Sequence, residues 1–232
     1  MALYIEWIGH SSFKIMGSKT IYIDPWKIPN TLNDSDIILI SHEHHDHFSP
    51  HDIKKITKEP WNVYGPASVI QELGTGKVLN LGDSTIEGNI IITATPAYTI
   101  NKLFHPIEKK WIGFYIIIDD IKIYYAGDTD FIPEMRDLGP VDIALLPVGG
   151  KFTMDADEAA AAANKIFPAT AIPYHWGDIV GTKKDANLFA EDCECKTIIL
   201  DPGEIIEISE KVLERNSRKK SPIHRIFQIW KK

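Results

Sequence analysis

A cluster of histidines directly after an apolar run constrains this chain more than any other feature. Five of its nine histidines fall within ten residues. They follow residues 36–40, whose continuous apolar pattern predicts a strand buried on both faces. Ser49 and Pro50 then predict the start of a helix over 50–58. The clustered histidines are His42, His44, His45, His47 and His51.

Residues 41–47 contain the spacing H-x-H-x-D-H. Imidazole and carboxylate groups are standard ligands of Zn²⁺ and similar divalent ions. A turn between a buried strand and a helix can direct alternate side chains to two neighbouring points. We therefore expect His42 and His44 to bind one ion, and Asp46 and His47 to bind a second. The alternative is an exposed polar loop, which this specific spacing disfavours.

Composition and charge exclude several classes of protein. Hydrophobic residues make up 44% of the 232 residues and charged residues 25%, which is typical of a globular protein and excludes disorder, a collagen-like fibre and a coiled coil. Only two cysteines are present, at positions 193 and 195, so a disulfide framework is excluded and a reducing cytoplasm is expected. The net charge of −7 argues against a nucleic-acid substrate, which requires a broad basic face.

The charge is concentrated in two parts of the chain. Residues 215–232 hold seven basic residues and no acid, whereas residues 1–214 carry 18 basic against 32 acidic residues. We therefore predict one domain over 1–214 and a basic tail over 215–232. The tail has an apolar stripe at helical spacing: Ile223, Ile226, Phe227 and Trp230. Such a tail can contact a membrane surface or acidic partner, or pack on its own domain or on a second copy.

No secretory signal or membrane span is expected. The N-terminal residues lack a basic region followed by a long apolar one. The longest apolar run, residues 112–118, is far shorter than the roughly 20 residues that a spanning helix needs. We predict a cytoplasmic protein that acts on a small molecule and forms a homo-oligomer.

Short β-rich runs alternate with a few helical segments. The order of these segments favours two sheets packed face to face with helices outside. The predicted helices cover residues 50–58, 67–73, 132–138, 155–167 and 185–192. The predicted strands cover residues 3–8, 13–16, 20–23, 36–40, 62–64, 85–87, 90–95, 112–118, 121–125, 142–146, 170–173, 198–200 and 205–208.

The histidine motif after a buried strand resembles the metallo-β-lactamase superfamily of two-metal hydrolases. The resemblance extends to about residue 208 and is strongest to small stand-alone hydrolases that include L-ascorbate-6-phosphate lactonase. It implies an α/β (α+β) fold, a four-layer αββα sandwich of two mixed sheets. The supporting segments are Gly9-His10-Ser11-Ser12, Asp24-Pro25, Thr95-Pro96-Ala97-Tyr98, Gly127-Asp128-Thr129-Asp130, Leu146-Pro147-Val148-Gly149-Gly150 and Ile172-Pro173-Tyr174-His175.

The same resemblance implies the remaining ligands of two divalent ions. Zn²⁺ is the expected metal, and Mn²⁺ and iron are the alternatives. Asp128 is expected to bridge both ions, since a carboxylate can bind one ion with each oxygen. His175 is expected to join Asp46 and His47 at the second ion. Asp46 and Asp128 are the expected catalytic carboxylates.

The sequence departs from the family pattern at one ligand. A third histidine at the first ion is expected directly after Tyr98, where this chain has Thr99. His105, His10 or a water molecule could each take the place of this third ligand. We otherwise expect His10 and Asp24 to hold ligands in place without touching metal, although Asp24 also fits a plain strand-ending turn.

The implied chemistry is attack by a metal-bound hydroxide on a small, anionic ester, lactone or phosphoester. Tyr98, Lys102 and Lys151 are candidate substrate contacts because they flank the predicted metal edge. Two other functions remain open. One is a phosphodiesterase or nuclease with the same metals, and the other is a metal-binding scaffold that has lost activity.

Overall fold

The computed structural model describes residues 2–100 and 102–215. The predicted amphipathic stripe over 223–230 lies outside these residues and stays a prediction. Arg215, the first residue of the predicted tail, contacts the domain, where its Nη2 donates to the carbonyl oxygen of Val141 at 2.8 Å. Within the described ranges, every helix is too short or too polar to cross a bilayer.

Fourteen strands and five α-helices lie within these described ranges. Short 3₁₀ helices cover Ile107–Lys109 and Pro133–Asp137. The α-helices are α1 (Pro50–Ile56), α2 (Ala67–Leu73), α3 (Ala156–Ile166), α4 (Lys183–Asp192) and α5 (Glu210–Leu213). The strands are β1 (Tyr4–Gly9), β2 (Ser12–Met16), β3 (Thr20–Ile23), β4 (Ile37–Leu39), β5 (Val63–Gly65), β6 (Lys77–Val78), β7 (Ser84–Glu87), β8 (Ile90–Pro96), β9 (Ile112–Ile118), β10 (Ile121–Tyr125), β11 (Ile143–Pro147), β12 (Thr170–Tyr174), β13 (Lys196–Thr197) and β14 (Glu204–Glu207).

The strands form two seven-stranded mixed sheets, in the orders β14-β1-β2-β3-β4-β5-β6 and β13-β12-β11-β10-β9-β8-β7. Each sheet is antiparallel on one side and parallel on the other. The prediction of two mixed sheets with outer helices is confirmed. Because parallel strands end at the same edge, residues that follow β3, β4, β10 and β12 can be brought close together.

The core lies between the sheets and continues beneath the helices. Trp7, Phe13 and Ile15 of the first sheet share one buried cluster with Phe114 and Ile116 of the second. A separate cluster covers the other face of the first sheet. Its members include Ile38, Ile40, Ile53, Val63 and Val69. The alternation of inward and outward residues within short strands therefore builds the layers that the sequence predicts.

A few predicted elements differ from those observed. The strand predicted over 198–200 is not observed, because regular pairing at this edge of the sheet is confined to β13. Ile198 N makes one further hydrogen bond, to the carbonyl oxygen of Ala171 at 3.0 Å. The predicted helix over 132–138 is only a 3₁₀ helix, bounded by Pro133 and by Gly139 with a φ of 75°. The two-residue strand β6 was not predicted, because its exposed residues show no alternation.

Candidate metal centre

The predicted ligands, and Asp24 that is expected to hold a ligand in place, come from strand ends in both sheets. Asp24 follows β3 and the histidine motif follows β4 in the first sheet. Asp128 and His175 follow β10 and β12 in the second sheet. All of them are buried or nearly so, which places a polar cluster at the shared edge of an otherwise apolar sandwich.

Three imidazoles form the first group of candidate ligands. His42 Nε2 lies 3.0 Å from His44 Nδ1, which lies 3.1 Å from His105 Nε2. His105 Nε2 is also 3.1 Å from Asp128 Oδ2. The structure therefore brings His105, and not His10, to the group in which the family pattern has a third histidine and this chain has Thr99 instead.

The loop between β8 and β9 delivers His105 to this group. The carbonyl oxygen of His105 accepts a hydrogen bond from Thr99 N at 2.9 Å, which folds the loop back on itself. His105 Nδ1 lies 3.1 Å from the carbonyl oxygen of Phe152 and donates to it, so Nε2 keeps its lone pair. Thr99 thus supports a replacement histidine that reaches the cluster from six residues further along the chain.

Lys102 holds the same loop against the segment that follows β10 and against the start of α3. Its ammonium contacts Asp130 Oδ1, the carbonyl oxygen of Thr153 at 2.7 Å and Glu158 Oε2 at 3.3 Å. Ile100 N donates to the other oxygen of Asp130 at 2.7 Å. An ammonium has three donors, so Lys102 has none left for a substrate. The expectation that Lys102 contacts substrate is therefore replaced by a role in holding the loop.

Two carboxylates and two imidazoles form the second group. Asp128 Oδ1 lies 3.2 Å from His47 Nε2, and Asp128 Oδ2 lies 3.2 Å from His175 Nε2. Asp46 Oδ2 is 3.7 Å from His175 Nε2 and 3.9 Å from His47 Nε2. His10 Nε2 lies 3.0 Å from Asp46 Oδ2, so His10 contacts one of the predicted ligands.

Asp24 sets the orientation of rings in both groups. Its Oδ2 accepts hydrogen bonds from His47 Nδ1 at 2.7 Å and from the Ser41 hydroxyl at 2.5 Å. Because a hydroxyl has one proton, Ser41 then accepts from His42 Nδ1, which is 2.9 Å away. In the neutral rings, this network assigns the proton to Nδ1, and Nε2 of His42 and His47 is then available to bind a cation.

Burial favours the neutral form of His42 and His44. It lowers the pKa of His42 well below its ordinary value, and the nearby His47 ring lowers it further. The pKa of His44 is lowered by burial and by His105. Neutral imidazole is the form that binds metal, so these two rings are suited to bind an ion near pH 7.

The second group attracts positive charge. Burial by itself raises the pKa of Asp128, but His175, His47 and His105 outweigh it and hold this pKa well below the ordinary value. Burial by itself lowers the pKa of His47, but Asp128 and Asp24 raise it well above the ordinary value. The space between these groups therefore favours a cation.

The unpartnered atoms show that the residues fit metal ions. Buried side-chain atoms without a hydrogen-bond partner include His47 Nε2, Asp128 Oδ1 and His175 Nε2. An imidazole nitrogen that faces a carboxylate oxygen at 3.1–3.2 Å needs positive charge between the two atoms, which either a proton or a metal ion supplies. Ligand atoms around a tetrahedral Zn²⁺ lie about 3.3 Å apart, given bond lengths of about 2.0–2.1 Å. The observed spacings of 3.0–3.9 Å match this value.

Several residues at the site were missed by the sequence interpretation. The Trp111 ring packs against His42 and His44, with ring centroids 4.8 and 4.7 Å apart. Tyr125 donates its hydroxyl proton to Asp24 Oδ2 at 2.7 Å. Tyr125 ends a strand three residues before Asp128, and this position was the only available signal for it.

The other two predicted substrate contacts lie outside the cavity wall beside the cluster. The Tyr98 hydroxyl donates to Glu134 Oε2 at 3.0 Å. The Lys151 ammonium lies over the Phe152 ring, 4.9 Å from its centroid. The wall itself includes the imidazoles together with Phe104, Phe152 and Ile179.

Comparison with known proteins identifies the family. A profile of the beta-lactamase superfamily domain matches residues 4–175, and the chain belongs to this superfamily. A UPF0173 metal-dependent hydrolase of Thermococcus onnurineus is 33% identical over 225 residues, which cover 88% of this chain and 99% of that relative. A protein of the same name from Methanoregula boonei is 32% identical over 222 residues, covering 89% and 98% of the two chains.

A solved structure supports the same assignment. Igni18, a metallo hydrolase from the archaeon Ignicoccus hospitalis, superposes with a TM-score of 0.76 at 25% identity. The match covers 90% of this chain and 99% of the other. The predicted resemblance to the metallo-β-lactamase superfamily is confirmed, whereas the likeness to the lactonase stays a prediction.

We expect the substitution Asp24→Asn to weaken Zn²⁺ binding by about 10- to 100-fold, the usual cost of losing a carboxylate behind a ligand histidine. The amide keeps the volume but removes the charge that fixes His47. Asp36→Asn is the matched control, because Asp36 accepts from Thr20 N at the opposite end of β3. Competition titration with a zinc chelator measures the effect, and equal affinity in both variants would contradict it.

We expect Lys102→Met to release the loop that carries His105. About tenfold weaker binding of one ion should follow, with the other ion retained. Lys14→Met is the control, since Lys14 forms a comparable half-buried pair with Asp34 at 2.7 Å outside the site. Elemental analysis after dialysis against graded chelator separates the two ions, and simultaneous loss of both would argue against a loop-specific effect.

Proposed function

We propose that this protein is a metal-dependent hydrolase with a dinuclear centre. One ion would be held by imidazoles and a shared carboxylate, and the second by two carboxylates and two imidazoles. The proposed ligands of the first ion are His42, His44, His105 and Asp128. Those of the second ion are Asp46, His47, Asp128 and His175. Zn²⁺ is the proposed metal because imidazole-rich sets suit it, with Mn²⁺ and iron as alternatives to test.

The position of Asp128 is the observation that carries this proposal. Its Oδ1 faces His47 Nε2 at 3.2 Å, and its Oδ2 faces His105 Nε2 at 3.1 Å. One carboxylate therefore serves both groups of histidines, which supports a bridging role. The presence of His105 also argues against a degenerate scaffold, because it completes the group in which Thr99 replaces a histidine.

Divalent ions bound there supply a hydroxide near neutral pH and a Lewis acid for the developing oxyanion. The chain itself positions a base. Burial by itself raises the pKa of Asp46, but the hydrogen bond from His10 and the charge of His47 lower it below the ordinary value. Asp46 is therefore a carboxylate at neutral pH, which suits it to bind a cation, and because its low pKa makes it a weak base, its proposed catalytic role is to accept a proton only transiently.

The proposed substrate is a small ester, lactone or phosphoester. The cavity beside the cluster has a volume of about 200 Å³, below the range of about 300–1,000 Å³ usual for larger ligands. Support from the relatives is limited to their printed name, metal-dependent hydrolase. Cytoplasmic location, homo-oligomerisation and contact of the tail with a membrane stay predictions.

The test measures metal content and hydrolysis together. We expect protein loaded with zinc to hold two ions per chain and to hydrolyse members of a panel of small esters, lactones and phosphoesters. His47→Ala should lose one ion and more than about a hundredfold in kcat/KM, since loss of an outer contact alone costs up to that much. His51→Ala is the matched control, because His51 is exposed on α1.

The remaining outcomes distinguish the alternatives. Activity on phosphodiesters alone, abolished by His47→Ala, would replace the ester or lactone substrate by a nuclease-type reaction. Full metal loading without activity on any panel member would contradict a hydrolase and support a scaffold. Well under one ion per chain would contradict the dinuclear centre.

A further inference from the structure

We propose that the substrate carries an uncharged apolar group, of the size of a phenyl ring or a short alkyl chain, which lies between Phe104, Phe152 and Ile179. This inference rests on the proposed function, because it concerns the part of the substrate beyond the reacting bond. It differs from the sequence-based expectation of an anionic substrate bound by lysines.

One part of the cavity wall is polar and consists of candidate metal ligands, whereas another part is apolar. Phe104 and Phe152 pack edge to face, with ring centroids 4.7 Å apart and planes at 80°. The Phe104 side chain is 46% exposed and Ile179 is 39% exposed, although both are large and apolar. Exposed side chains of this kind, joined in one cavity, favour contact with an apolar ligand group.

The cations near this cavity are already engaged. Lys102 uses its donors on Asp130, Thr153 and Glu158. The ammonium of Lys151 lies over the Phe152 ring. Among the described residues of the cavity wall, none is Lys or Arg. A second negative group on the substrate would thus find no lysine or arginine partner in this wall, where His45 is the exposed imidazole.

The start of α3, beside the cavity residue Phe152, offers no anion site either. Asp155 Oδ1 accepts from Glu158 N at 2.8 Å, and Glu158 Oε2 accepts from Asp155 N at 3.1 Å. These acidic side chains satisfy the free amides of the first turn and repel another anion. Charge at the reacting bond can be met at the metal centre, whereas the rest of the substrate meets apolar walls.

The volume sets the size of the group. The cavity of about 200 Å³ holds both the reacting group and the apolar group, and an apolar protein cavity of ~150 Å³ binds benzene. The apolar group is therefore no larger than one six-membered ring or a short alkyl chain. Each buried methylene adds about 0.8 kcal/mol of transfer free energy, which corresponds to about three- to fourfold in affinity.

Binding of two matched chelators tests this proposal without requiring turnover. Benzohydroxamate and 4-carboxybenzohydroxamate share a metal-binding head and differ in charge at the far end. By calorimetry with zinc-loaded protein, we expect benzohydroxamate to bind at least about tenfold more tightly. Equal binding, tighter binding of the carboxylated probe, or no binding of either would overturn the proposal.

A charge introduced at the cavity mouth provides the second readout. Ile179→Lys should remove most of the preference for the uncharged probe, with zinc content unchanged. Ile86→Lys is the matched control, because Ile86 is 68% exposed on β7 and outside the cavity wall. An unaltered preference in Ile179→Lys would overturn the proposed position of the apolar group.

Rates of ester hydrolysis distinguish a failure of this inference from a failure of the proposed function. We expect kcat/KM for phenyl acetate to exceed that for 4-acetoxybenzoate by at least about tenfold. Hydrolysis of both esters at equal rates would overturn the inference and leave the hydrolase intact. A clear probe preference without hydrolysis of any panel ester, lactone or phosphoester would instead support the cavity assignment and contradict the proposed function.

Discussion

The geometry of the site depends on the hydrogen bonds that the fully buried carboxylate of Asp24 accepts. It accepts from His47 directly and from Ser41, which in turn accepts from His42, so it orients one histidine of each group. It also accepts from Tyr125 at the end of β10, which joins the two sheets at the edge where the ligands meet. The same oxygen thus fixes the ring tautomers and the relative position of the layers that carry them.

The backbone around the site is held in costly conformations. Four of the ten non-glycine residues with positive φ in the described chain belong to the site, with angles of 45–64°. They are His10, Asp24, His105 and His175. Each costs on the order of 1 kcal/mol or more, which only a well-packed surrounding structure can sustain. The buried sandwich beneath the site therefore supports positions that the local chain would not adopt alone.

The features that could be predicted from the sequence are those that depend on neighbouring residues. The alternating strands, the turn after β4 and the ligands at strand ends follow from neighbouring residues and from the family resemblance. The roles of His105 and Lys102 depend instead on how a long loop returns to the edge of the sheets. A lysine on such a loop looks free in the sequence, and only the fold shows that Asp130 and Glu158 engage it. Very short edge strands such as β6 carry too little pattern to predict.

We propose that one shared carboxylate and two groups of histidines hold two ions, with His105 in place of the histidine missing at position 99. A crystal structure of zinc-loaded protein, with an anomalous difference map measured at the zinc absorption edge, tests this arrangement most directly. We expect two peaks on either side of Asp128, one of them within bonding distance of His105 Nε2. A single peak, or two peaks with His105 turned away from both, would contradict it.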